Sequence, residues 1–165
     1  MASSPLQAYP HDLDIMMNPI RHAMLSVSIV PLLGLGACSM PLQATASTVL
    51  TARQAGSGEV PAVMTDATGT VEATLTPTSN VLTWKISYSG LSGGATAAHF
   101  HGPTMAGQNA GVVVPITGSL ASPVAGSAVL TPSQAADLSA GEWYVNVHTA
   151  TNPGGEIRGQ ISVRE

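Results

Sequence analysis

The chain has 165 residues, five Lys and Arg against nine Asp and Glu, a formal net charge of −4 and 44% hydrophobic residues. That length fits one domain, and an acidic balance with no basic cluster removes the electrostatic footprint of a nucleic-acid binder. Cys38 is the only cysteine, so no disulfide can close within the chain.

Residues 1–20 have no useful periodicity. Arg21 and His22 then precede the apolar run from Ala23 to Ala37, which is 15 residues long. A membrane-spanning helix needs about 20. A positive residue, a short apolar stretch and small residues at its end instead describe a secretory signal. Its end, Leu35-Gly36-Ala37-Cys38, resembles a bacterial lipobox, which implies cleavage before Cys38 and lipidation of its sulfur. The plainer reading, a buried helix with a chance cysteine, fits poorly with Pro31 and the small residues of the last turn. The expected division is a removed leader over 1–37, a tether over 38–47 and a domain over 48–165. Translation starts at Met1, Met16 or Met17. The expected product is exported and held to a membrane by its lipid, facing the periplasm or the cell surface. Ser39 after the cysteine favours the outer membrane if the cell has two.

From about Val49 the pattern has period two. Val71, Ala73 and Leu75 face one way and Glu72 and Thr74 the other. Leu82, Trp84, Ile86 and Tyr88 oppose Thr83, Lys85 and Ser87, and near the C-terminus Ile157, Gly159, Ile161 and Val163 oppose Arg158, Gln160, Ser162 and Arg164. This is the alternation of half-buried antiparallel strands. The runs are separated by turn clusters such as "TPTSN", "SGLSGG" and "TNPGG". One segment breaks the rhythm: Thr131 as N-cap, Pro132 in the first turn and Gly141 as a stop predict a short helix near 132–139, with Ala135 and Leu138 docked on the sheet. Seven or eight short strands and one helix predict an all-β Greek-key sandwich or barrel.

Three histidines lie in the expected mature chain: His99, His101 and His148. His99 and His101 are two residues apart, so on a strand they project from one face about 7 Å apart, close enough for both imidazoles to hold one ion at about 2.0 Å. His148 closes "WYVNVHT", where Tyr144, Asn146 and His148 share a face opposite Trp143, Val145 and Val147. Met105 could add a soft fourth ligand, or be an ordinary loop side chain. Tyr144, Asn146, Gln108 and Glu156 are candidates to hold the imidazole rings in place. Glu59 reads as a turn cap or an arginine partner. Glu156 and Arg158, flanking Ile157, read as a pair or as the rim of a site. Trp84 and Trp143 read as core. No serine sits in a nucleophile motif, and the glycines of "NPGGE" open no helix that could bind phosphate.

The blocks "AAHFHGPTMAGQNAGVVVPI" and "LSAGEWYVNVHTATNPGGEIRGQI", with the weaker "GSGEVPAVMTDATGTVEATL", resemble the CHRD domain, named from chordin and widespread in bacterial secreted proteins. The resemblance runs from about Thr48 to Arg164. It implies an immunoglobulin-like β-barrel distantly similar to Cu,Zn superoxide dismutases, with no settled biochemical activity. Those enzymes also place copper on an H-x-H strand pair and a later histidine, which His99, His101 and His148 match in kind and order. The bridging histidine, the zinc cluster and the disulfide have no counterparts, and Arg158 does not align convincingly with the anion-guiding arginine. The resemblance therefore implies a single copper-type site more than superoxide chemistry.

Three functional readings remain open. The first is a lipid-anchored protein that binds one ion for metal binding or delivery without turnover, copper by affinity order and zinc as runner-up. The second is a binding or scaffolding module whose histidines are structural, by analogy with the growth-factor binding of chordin; its protein partner is unknown. The third, a dismutase-like enzyme, has the least support.

Overall fold

In the computed structural model the described residues are 46–164. The expected leader, Cys38 and most of the expected tether fall outside them. Among the described residues no helix is long and apolar enough to cross a membrane.

The elements follow the sequence pattern closely. They are β1 (Thr48–Ala55), β2 (Thr68–Thr76), β3 (Val81–Ser89), β4 (Ala95–His101), β5 (Val112–Pro115), β6 (Val124–Val129), α1 (Pro132–Ser139), β7 (Tyr144–Thr149), β8 (Ile157–Gln160) and β9 (Ser162–Val163). All pairings are antiparallel, in the order β5-β4-β7-β8-β1-β2-β3-β6, with β9 also on β1. The nine strands exceed the expected seven or eight for a local reason. β8 and β9 pair with β1 in a single register, Ala55 with Arg158 and Leu50 with Val163. The break falls at Ile161, whose N–H turns aside to the Trp143 carbonyl. Physically they are one strand that joins two halves of the sheet.

The inward residues of both halves meet in one core. Leu50, Val71, Leu82, Ile86, Phe100, Val145, Val147 and Ile157 are buried there. Trp84 packs edge-on to Phe100, with ring centroids 5.1 Å apart, and Trp143 is fully buried. The helix forms where the capping pattern puts it. The Thr131 side chain accepts from Gln134 N–H while the Gln134 side chain accepts from Thr131 N–H, and Ala135 and Leu138 face the core.

The two faces of the β4–β7–β8 region differ from those of an ordinary half-buried sheet. Every residue of β7 is buried, on both faces. The inner face is covered by the core. The outer face is covered by two loops, 102–111 and 150–156, which fold back over it and place its polar side chains out of water.

Candidate metal centre

Alternation along β4 sends Ala98 and Phe100 into the core and His99 and His101 outward. On β7 the same alternation sends Tyr144, Asn146 and His148 outward beside them, because β4 pairs with β7 through His99–Asn146 and His101–Tyr144. Arg158 lies on the next strand, opposite Asn146. The three histidines separated by up to 49 positions in the chain therefore share one patch. Their ring donors lie within 4.8 Å of one another, a grouping that can hold a metal ion.

The ring orientations follow from their partners. His101 Nδ1 lies 3.0 Å from the Ala110 carbonyl, and His148 Nδ1 lies 3.0 Å from the Pro153 carbonyl. A carbonyl oxygen only accepts, so each of these nitrogens carries the proton and donates it. In a neutral imidazole the Nε2 of each ring then keeps a bare lone pair. Those two lone pairs point at Asn146: its Oδ1 is 3.1 Å from His101 Nε2 and 3.0 Å from His148 Nε2. His99 completes the ring from the other side, with Nδ1 3.1 Å from His148 Nε2. The His99 ring stands nearly perpendicular to that of His101, at 84°. Two nitrogens and an oxygen thus converge with the Nδ1 of a fourth side chain. His99 can supply only one proton to this hollow, whereas a cation would be met by every donor.

The surroundings hold these groups in place. Tyr144 lies flat against His101, centroids 4.6 Å apart and planes 3° from parallel, and the Arg158 guanidinium sits 3.4 Å above the same ring as a cation–π contact. Arg158 donates to Asn109 Oδ1 at 3.0 Å and to the Gln108 carbonyl at 2.5 Å, while Asn109 Nδ2 donates to the Val60 carbonyl. Gln160 Nε2 donates to the Thr104 carbonyl. These bonds clamp the 102–111 loop that carries the Ala110 carbonyl. Glu156 anchors the second loop. Its two oxygens accept from Thr65 and Ser92 hydroxyls, Ser92 N–H and the Thr149 hydroxyl at 2.6–2.9 Å, and it makes no bond to a histidine. Rather than pairing with each other, Glu156 and Arg158 each secure one covering loop.

Glu59 is the residue whose place the sequence conceals most. It is 7% exposed, beside Arg158, Asn146 and Gly155. A Cβ at Gly155, where φ is +129°, would lie 2.2 Å from Glu59 Oε1, so only glycine leaves the carboxylate room. Burial pushes Glu59 up to about 7. The Arg158 charge, the Asn146 amide and the Val60 N–H draw it back only in part, and Oε1 falls outside strict hydrogen-bond geometry. Because this carboxyl holds its proton more tightly when folded, it costs stability as pH rises from about 4.5 through 7. The histidines move the other way. Burial, followed by the neighbouring histidines, lowers His99. Burial also lowers His148, against the opposing bond to Pro153. Both rings therefore stay neutral, and able to bind metal, below the ordinary value of 6.5.

Of the residues expected at the site, His99, His101, His148, Tyr144 and Asn146 come together, and Gln108 contributes through its carbonyl. Glu156 acts through the loop. Met105 leaves its side chain 64% exposed at the tip of the 102–111 loop. The backbone carbonyls of Ala110 and Pro153 and the buried Glu59 were not legible as parts of a site, while Arg158, read from the sequence as one of a pair or as a site rim, enters by stacking on Tyr144. A family model for the CHRD domain matches residues 50–161. No curated protein matches the chain, and no solved structure does.

Glu156 supplies a direct test of the loop architecture. Burial raises its pKa, but the bonds from Ser92, Thr149 and Thr65 outweigh that and hold it down to about 2. Its stabilisation is then fully present above about 4.5 and lost as pH falls from 4.5 towards 2. Glu156→Gln is expected to lower stability at neutral pH by about 1–3 kcal/mol and to flatten the acid limb of a denaturation series. An unchanged acid limb would remove Glu156 from this role.

Proposed function

The chain belongs to the CHRD domain family, and from that premise we propose that it binds a single copper ion through His99 Nδ1, His101 Nε2 and His148 Nε2, for metal binding or delivery without turnover. The observation that carries this reading is the pair of backbone carbonyls, Ala110 and Pro153, each 3.0 Å from an Nδ1, which leaves both Nε2 lone pairs aimed into one hollow. Three neutral imidazoles suit Cu(II) first and Zn(II) next among common divalent ions. His101 and His148 are buried while His99 is half-buried, so the hollow is reached from the His99 side. That arrangement suits an ion that must enter and leave.

The same carbonyl bonds also serve a second reading, a scaffolding module in which the histidines only order the covering loops. Copper titration of the purified protein separates the two. About one Cu(II) per chain is expected, abolished by His101→Ala, and persisting to lower pH than ordinary imidazoles would allow because burial lowers His99 and His148. Undiminished stoichiometric binding in the triple alanine variant at His99, His101 and His148 would sink the copper reading. A melting temperature indifferent to copper and chelator would favour the scaffold.

The setting proposed for this site is outside the cytoplasm, on a lipid anchor at Cys38. Support comes from the sequence: Arg21 and His22, the short apolar run and Leu35-Gly36-Ala37-Cys38. Partition of the expressed protein into a detergent phase, lost in Cys38→Ser, is the expected result. Equal partition of both proteins would contradict the anchor.

A further inference from the structure

We propose that the Asn146 carboxamide oxygen is the fourth donor of this centre, making a set of three nitrogens and one oxygen. The inference rests on the three-histidine reading and extends it to the identity of the remaining ligand.

Spacing is the first argument. Bonds of about 2.0 Å to one ion put neighbouring donors about 2.8 Å apart in a square plane and about 3.3 Å apart in a tetrahedron. Asn146 Oδ1 lies 3.1 Å from His101 Nε2 and 3.0 Å from His148 Nε2, and His99 Nδ1 lies 3.1 Å from His148 Nε2. Three edges of the donor set thus already have the length that a shared ion requires.

Chemistry is the second. Ala110 and Pro153 take the ring protons of His101 and His148, so neither Nε2 has a hydrogen to give Oδ1. Oxygen facing two bare nitrogens is unfavourable without a cation between them. The amide could relieve this by turning its NH2 towards the rings. That would move Nδ2 away from the buried Glu59 side chain, which the amide nitrogen faces as the site stands. Glu59 is more than nine-tenths buried, its Oε1 lacks a hydrogen-bond partner, and it faces the Asn146 amide. It therefore holds Nδ2 on its own side and Oδ1 on the side of the histidines. A cation on Oδ1 would draw electron density from the amide and strengthen the N–H contact to Glu59. All four donors are neutral. A nitrogen–oxygen set favours Cu(II) and Zn(II) over Cu(I), which would call for a thioether such as that of exposed Met105.

The test is Cu(II) titration against a competing chelator, with electron spin resonance of the loaded full-length chain, for wild type, Asn146→Ala and Asn146→Asp. Asn146→Ala is expected to weaken binding at least about tenfold and to change the copper hyperfine pattern. Asn146→Asp, close in size and still an oxygen donor, is expected to keep a three-nitrogen, one-oxygen pattern and to bind more tightly than Asn146→Ala. If Asn146→Ala does not fold, Asn146→Asp decides alone: the added negative charge on a ligand should tighten binding and shift the spectrum relative to wild type. Variants with the affinity and spectrum of wild type would overturn the assignment while leaving the three-histidine centre standing. Absence of stoichiometric copper in the wild type would remove the centre itself, and the assignment with it.

Discussion

Two hydrogen bonds organise this molecule's chemistry: the Nδ1–H of His101 to the Ala110 carbonyl and the Nδ1–H of His148 to the Pro153 carbonyl. Each fixes a tautomer and an orientation at once, and each comes from a loop instead of from the sheet. Without the loops the two rings would be ordinary strand histidines, free to rotate and to protonate in water. With them, the Nε2 atoms are held bare and inward. The rest of the local structure keeps those two carbonyls where they are.

This explains an otherwise costly arrangement. The outer face of β7 buries Tyr144, Asn146 and His148, with Arg158 and Glu59 beside them. Burying polar groups is unfavourable unless they are paired, and most of these are. Arg158 is satisfied by Asn109 and Gln108 and stacks on Tyr144, which stacks on His101. Glu156 collects four donors and pins the loop that carries Pro153. On this face Glu59 Oε1 is without a partner, and Asn146 Oδ1 faces two ring nitrogens, both next to the histidine hollow. Acceptors gathered at this hollow are ones that a cation would satisfy.

Much of this was legible in the residues. Period-two alternation marked the strands and their buried faces, and Thr131-Pro132 marked the helix start, because both depend on local geometry alone. The H-x-H spacing put His99 and His101 on one face for the same reason. Pairing with His148 depended on strand order, which local pattern does not encode. Glu59 and the two carbonyls were hidden because a loop's path over a sheet is set by distant partners such as Arg158 with Gln108. One signal did exist. The outward residues of β7 are Tyr, Asn and His, and those of β2 and β3 are Thr, Glu, Ser and Lys. Large polar but uncharged side chains on the outer face of β7 mark a face that loops cover here.

The tautomers of His101 and His148 are the most direct point of attack on this account. Nitrogen-15 NMR of the imidazole rings reads them in solution, before and after one equivalent of Zn(II). Nδ1–H is expected at both residues in the metal-free protein at neutral pH, with the proton retained and the Nε2 resonances shifted once the ion is added. Nε2–H tautomers, or rapidly exchanging mixtures that zinc leaves unmoved, would contradict it.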